Sequence, residues 1–208
     1  MSDYRNTKYC SCLDSIKTDK MIFGNKIHKE HPRVKDLHAQ ISPNACKYKT
    51  EFIKMYNGKC AYCGVSIQLI PRRMFEIDHY IPVTSRRFRS RACAGFMDNL
   101  ILSCHTCNHN KGDFEVPDYL LDQLHPDNPG IKKSFFRDDL FYIRVVPEQP
   151  VEVTEFYNKL NLGRETNRID YLLMCMLGLY SRIEDRPDIH DKLGKAIELL
   201  RAKRNHMA

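Results

Sequence analysis

Two cysteine pairs, Cys60-Ala61-Tyr62-Cys63 and Cys104-His105-Thr106-Cys107, constrain this chain more than any other feature. Each C-x-x-C turn presents two sulfurs, and two such turns supply the four thiolates of a closed, tetrahedral Zn2+ site. A thioredoxin-like redox motif needs only one pair, set in a βαβ pattern, so the pairing argues for structural zinc. A closed four-sulfur site leaves no open coordination position, which keeps the zinc itself out of any chemistry. The segment between the pairs is short of apolar residues for a core of its own, so zinc binding would supply much of its folding free energy. Within it lies Phe75-Glu76-Ile77-Asp78-His79-Tyr80-Ile81-Pro82, a brief apolar run that ends on an Asp-His dipeptide.

The chain has nine cysteines, an odd number, and such a set reads as metal or redox chemistry in a reducing compartment. No run approaches the roughly 20 apolar residues that a membrane-spanning helix requires. Met1-Ser2-Asp3-Tyr4-Arg5 lacks the apolar core of a signal peptide, so a cytoplasmic location with no membrane partner is expected. The formal net charge of +7 suits a polyanionic partner. A length of 208 residues with 42% hydrophobic content allows one core domain with extensions, or two small domains.

Residues 1–42 read as a polar N-terminal extension. Cys10-Ser11-Cys12 is spaced too tightly for a zinc knuckle and reads as two ordinary thiols, and the basic run Lys26, His28, Lys29, His31 and Arg33 reads as a solvated loop. Ser42-Pro43 marks a helix start, with Tyr48, Phe52, Ile53 and Tyr56 at helical spacing and Asn57-Gly58 as its stop. Met74 to Ile77 predicts a strand leading into Asp78-His79. Neighbours on a strand point to opposite faces, so that pair must sit at a strand end if both are to reach one substrate. In Ser85-Arg86-Arg87-Phe88-Arg89-Ser90-Arg91 an aromatic sits among arginines with no acid, a pattern suited to a phosphate backbone. A second strand follows Asp98-Asn99 into Cys104, and a helix then runs to Gly112. Beyond it the pattern predicts a short helix over 117–124, strands around Phe135-Phe136 and 140–146, and helices over 151–160, 164–180 and 188–204. Ile169, Leu172, Leu173, Met176, Leu177 and Tyr180 form an apolar stripe that suits a core or a partner face.

The order C-x-x-C, Asp-His, Asn-Leu, C-x-x-C-Asn-x-x-Lys resembles the HNH endonuclease family over roughly residues 58–112. The resemblance implies an α+β fold: a small, zinc-stapled ββα-metal nuclease core at 43–115, with mainly helical extensions at 1–42 and 116–208. It implies that His79 activates water, that Asp78 and Asn108 hold a catalytic Mg2+ or Mn2+, and that Asn99 holds the loop bearing the histidine. Lys111 would meet phosphate together with Arg86, Arg87 and Arg89. The residue types suit phosphodiester hydrolysis, since imidazole is a base near neutral pH and carboxylate and amide oxygens are hard donors. The substrate would be DNA, or else RNA. His105 and His109, spaced i, i+4, offer an alternative metal pair, though two ordinary histidines on a helix face are the plainer account. Leu124-His125-Pro126 and Leu160-Asn161-Leu162-Gly163 more loosely resemble the HNH subunits of bacterial anti-phage defence systems of the Septu and retron-associated kind. That likeness implies an ATPase partner of the ABC/SMC type docking on residues 150–204. The rival expectation is a zinc-stabilised nucleic-acid-binding or scaffold subunit without turnover.

Overall fold

The computed structural model describes residues 2–7, 13 and 16–207. The Cys10-Ser11-Cys12 stretch lies outside them. The chain enters through α1 (Ile16–Glu30), α2 (Leu37–Ile41) and α3 (Lys47–Met55). It then forms β1 (Phe75–His79), α4 (Arg91–Ala94), β2 (Leu100–Cys104) and α5 (His105–Lys111). The C-terminal part holds α6 (Leu121–Leu124), β3 (Phe135–Arg137), β4 (Ile143–Val145), α7 (Val151–Lys159), α8 (Glu165–Tyr180) and α9 (Pro187–Asn205). This is the expected α+β arrangement, with two small two-stranded antiparallel sheets.

β1 and β2 pair with Phe75 opposite Cys104, Ile77 opposite Leu102 and His79 opposite Leu100. Every residue of β2 is buried, with β1 beside it and α5 packed against it. α5 follows β2 without a break, so the second cysteine pair straddles the strand-to-helix junction. Gly112 ends α5 at φ 49°, a conformation that glycine adopts without the Cβ penalty.

Two local expectations fail. The basic run at 26–29 is helical, not a loop. Ile16, Lys20, Phe23 and Ile27 line the buried face of α1, and Lys20 belongs there because its ammonium pairs with Asp127 at 2.7 Å with both side chains almost fully enclosed. A charged residue in the apolar stripe hid its period. The helix expected from Ser42 starts later: Ser42 closes the preceding α2, and α3 starts only at Lys47. The Cys46 amide bonds the Pro43 carbonyl at 3.0 Å, so a turn occupies the residues between. Proline cannot supply the amide that a continuing helix needs.

One apolar cluster draws on Tyr4, Phe23, Ile27 and Ile41, on Tyr62, Phe75 and Leu102, and on Ile131, Phe135 and Phe156. The flanks therefore share a core with the knuckle and hairpin. Ile169, Leu173 and Ile197 form a second, smaller cluster between α8 and α9. The N-terminal segment is locked onto the knuckle by polar contacts as well. The buried Arg5 guanidinium donates to the Ala61 carbonyl at 2.6 Å and the Pro126 carbonyl at 2.8 Å, and Asp3 neutralises it at 2.7 Å.

Gly64 turns the chain out of the first knuckle at φ 81°, and a Cβ there would meet the Arg5 carbonyl oxygen at 2.8 Å. Gly64→Ala is therefore expected to lower stability by about 1–3 kcal/mol, from backbone strain and displacement of the Arg5 segment. Chemical denaturation midpoints of the two proteins check this.

Candidate active site and metal centre

The four knuckle cysteines converge. Their sulfurs all lie within 4.8 Å of one another, and all four residues are buried. Cys63 and Cys104 Sγ are 3.9 Å apart. Zn–S bonds of about 2.3 Å in a tetrahedron would set that edge near 3.8 Å, so the donor set fits zinc. Among the described residues no other group of three or more histidine, cysteine or acidic side chains converges in this way. Against its burial, hydrogen bonding from Cys104, Cys107 and Cys63 pushes the Cys60 thiol well down, whereas the Cys63 and Cys107 thiols are pushed well up by their cysteine neighbours.

Tyr62, inside the first knuckle, carries the cluster's rigidity into the hairpin. Its hydroxyl donates to Asp78 Oδ2 at 2.7 Å. Asp78 Oδ1 faces the Lys111 ammonium at 3.3 Å. Burial lifts the Asp78 carboxyl to about 6, against the opposing pull of Lys111 and Tyr62. Lys111 does not match its expected role. It is 1% exposed, donates to the His79 carbonyl at 2.9 Å and pairs with Asp78, which leaves it no face for a phosphate.

His79 is the last residue of β1, so the Asp-His pair does sit at a strand end. The two side chains still leave on opposite faces. Asp78 meets the knuckle and α5, whereas the His79 ring lies against His38 of α2, with centroids 4.3 Å apart. The ring makes no hydrogen bond to Asp78 or Asn108, and its buried Nε2 has no hydrogen-bond partner. Burial, with neighbouring His38 second, holds the imidazole down to about 4, so it is neutral near pH 7. The loop after it is clamped by Asn99. The Asn99 Oδ1 accepts from the Ile81 amide at 2.7 Å, and Nδ2 donates to the Ile81 and Ala94 carbonyls.

Asn108 lies on the Asp78 side of the strand. Its Nδ2 donates to Glu76 Oε2 at 2.5 Å, and its Oδ1 accepts no hydrogen bond among the described residues. Carboxylate and amide oxygens are of the kind Mg2+ or Mn2+ takes, and in this structure Asp78 is enclosed, with Oδ2 held by Tyr62 and Oδ1 facing Lys111. His105 Nδ1 contacts Glu76 Oε1 at 2.8 Å, and the His105 and His109 rings stack at 5.8 Å. Their contacts are those of ordinary helix-face histidines. In the arginine run, Arg87 is tied to Asp118 and Glu115, whereas Arg86 and Arg89 are exposed. Phe88 packs edge-on against Phe96.

Three contributors escaped the sequence reading. Glu76 carried a signal, since two residues before Asp78 on a strand means the same face. Tyr62 and His38 carried none. One is the filler of a cysteine turn, and the other reaches the site from a separate helix.

Cys107→Ser is expected to lower zinc stoichiometry and melting temperature together, measured by metal analysis and calorimetry on the same preparation. His79 has a second consequence. Its folded pKa lies below its unfolded value near 6.5, so between about 6.5 and 4 the unfolded chain binds more protons and stability falls with pH. Urea midpoints should therefore shift in favour of His79→Gln relative to the parent as pH drops from 7 to 5.

Residues 60–114 match the family model described as HNH endonuclease. No curated protein and no solved structure matches the chain. The matched span holds the four sulfurs, both strands of the hairpin and α5, whereas α1–α3 and everything beyond Phe114 fall outside it. Its cysteine cluster, its Asp-His strand end and its family match agree: over residues 60–114 this chain is similar to HNH endonucleases.

Proposed function

We propose that the protein is a divalent-metal-dependent endonuclease that hydrolyses phosphodiester bonds in DNA, with His79 as the base that activates water. The observation that supports this best is the His79 ring: a neutral imidazole at a strand end, its Nε2 without a partner, beside a loop held by Asn99. A neutral imidazole is free to take a proton, and a phosphate anion beside the ring favours the imidazolium that results. Bound Mg2+ or Mn2+ would offset charge on the transition state and the leaving oxygen. Asp78 and Asn108 hold the ion in this reading, and Tyr62 fixes the carboxylate that does so. Arg86 and Arg89 steer the backbone, and Asn99 is a positioning residue that acts through the Ile81 segment.

RNA is the other substrate the same chemistry accommodates. A place in an anti-phage defence system, with an ABC/SMC-type ATPase as partner, belongs to this proposal on the likeness of residues 124–126 and 160–163 alone. The α8–α9 pair is the surface such a partner would use.

Purified protein supplied with Mg2+ or Mn2+ is expected to nick supercoiled plasmid. His79→Ala should lower the rate by about 10²–10⁴-fold while zinc content and circular dichroism stay unchanged. Equal nicking by both proteins would remove His79 from its role. Binding of DNA without nicking under any divalent ion would favour a scaffold subunit instead.

A further inference from the structure

Asn108 has two chemically different ends, and a hard divalent cation takes only the oxygen. Nothing in the shape of an amide selects which end faces the cation. In this structure its neighbour makes the selection. The Asn108 Nδ2 donates to Glu76 Oε2 at 2.5 Å, and an ionised carboxylate can only accept. The nitrogen end is therefore held against Glu76 and the oxygen end is turned away from it. Glu76 is held in turn, because its other oxygen, Oε1, receives His105 Nδ1 at 2.8 Å. That contact requires the Nδ1 of His105 to carry the proton. β1 supplies Glu76 two residues before Asp78, so both acids face α5, where Asn108 and Lys111 sit.

We infer that Glu76 is a positioning residue that fixes the Asn108 amide with its oxygen toward the divalent ion, His105 locking the carboxylate that does so. The inference rests on the reading of Asp78 and Asn108 as the ion's ligands. It makes an unusual demand on substitutions. In Glu76→Gln a His105 that keeps its Nδ1–H tautomer claims the glutamine oxygen, which leaves the glutamine nitrogen facing Asn108. The Asn108 amide then turns over to accept from it and presents nitrogen to the ion. Glu76→Ala removes the same charge but leaves the amide free to choose. The near-isosteric change should therefore be the more damaging of the two.

The test is direct Mn2+ binding to zinc-loaded full-length protein, followed by isothermal titration and by the electron paramagnetic resonance signal of free Mn2+. Zinc content and melting temperature are matched among the variants. Glu76→Gln is expected to weaken binding by about tenfold. Glu76→Ala should weaken it by only about two- to threefold, as expected when the amide is released without being trapped. Adding His105→Ala to Glu76→Gln should return the affinity toward the Glu76→Ala level, because the glutamine can then turn its oxygen to Asn108. Equal losses in Glu76→Gln and Glu76→Ala would mean that Glu76 acts through charge alone, and a larger loss in Glu76→Ala would mean packing. Either result overturns the inference. Asp78→Ala separates the two levels of the argument. If it binds Mn2+ as the parent does, the ligand assignment itself fails. If it loses Mn2+ while the two Glu76 variants match, only the orienting role falls.

Discussion

The four-sulfur cluster is the contact on which the remaining geometry depends. It brings the turn at residues 60–63 to the junction of β2 and α5, and a Zn2+ held there would join them through bonds far stiffer than apolar packing in so small a segment. From that anchor three links reach outward. The Ala61 amide bonds the Leu102 carbonyl at 2.8 Å and seats the knuckle on the hairpin. The Tyr62 hydroxyl reaches Asp78. The Ala61 carbonyl receives Arg5 and ties in the N-terminal segment. The cysteine knuckle thus sets the position of a carboxylate that its sulfurs never touch.

Around the hairpin, burial works on two adjacent residues in opposite directions. It raises the Asp78 carboxyl and lowers the His79 imidazole, and in both cases it favours the uncharged form. The enclosed Lys111 is the internal counter-charge, pairing with Asp78 while its ammonium also caps the His79 carbonyl. Through those two contacts the lysine holds the strand end to α5. His38 adds a second imidazole beside the first. Its Nε2 faces the Ile77 carbonyl at 3.0 Å and must be the protonated nitrogen, because a carbonyl only accepts.

The segments outside residues 60–114 are structural partners of the span that matches the family model. α1 and α3 pack Phe23 and Phe52 together, and Lys20 and Tyr56 both reach Asp127. Phe156 of α7 lies against Tyr62 of the knuckle. Arg164, ahead of α8, is half-buried, and the nearby Cys63, Cys107 and Cys104 favour its charge even though desolvation opposes it. Four thiolates around one Zn2+ would leave a net charge of −2, and a half-buried guanidinium beside them would offset part of it.

Much of this was legible from residue order. The cysteine spacing, the Asp-His strand end and the helix from Cys104 to Gly112 are local facts, set by turn chemistry and by periods of two and of 3.6 residues, whereas the role of Asn99 was legible only through the family resemblance. The α1 helix was obscured because Lys20 interrupts its apolar stripe, and a lysine is acceptable inside only when its partner, Asp127, arrives from a distant loop. The same limit governs the site. Sequence determined which side chains are chemically able to bind a cation, hold zinc or take a proton. Only tertiary structure decided that Lys111 is enclosed, that His38 stacks on His79, and that Glu76 and His105 hold one end of Asn108. Burial and the orientation of a hydrogen bond belong to pairs of residues, and those pairs exist only once the chain has closed on itself.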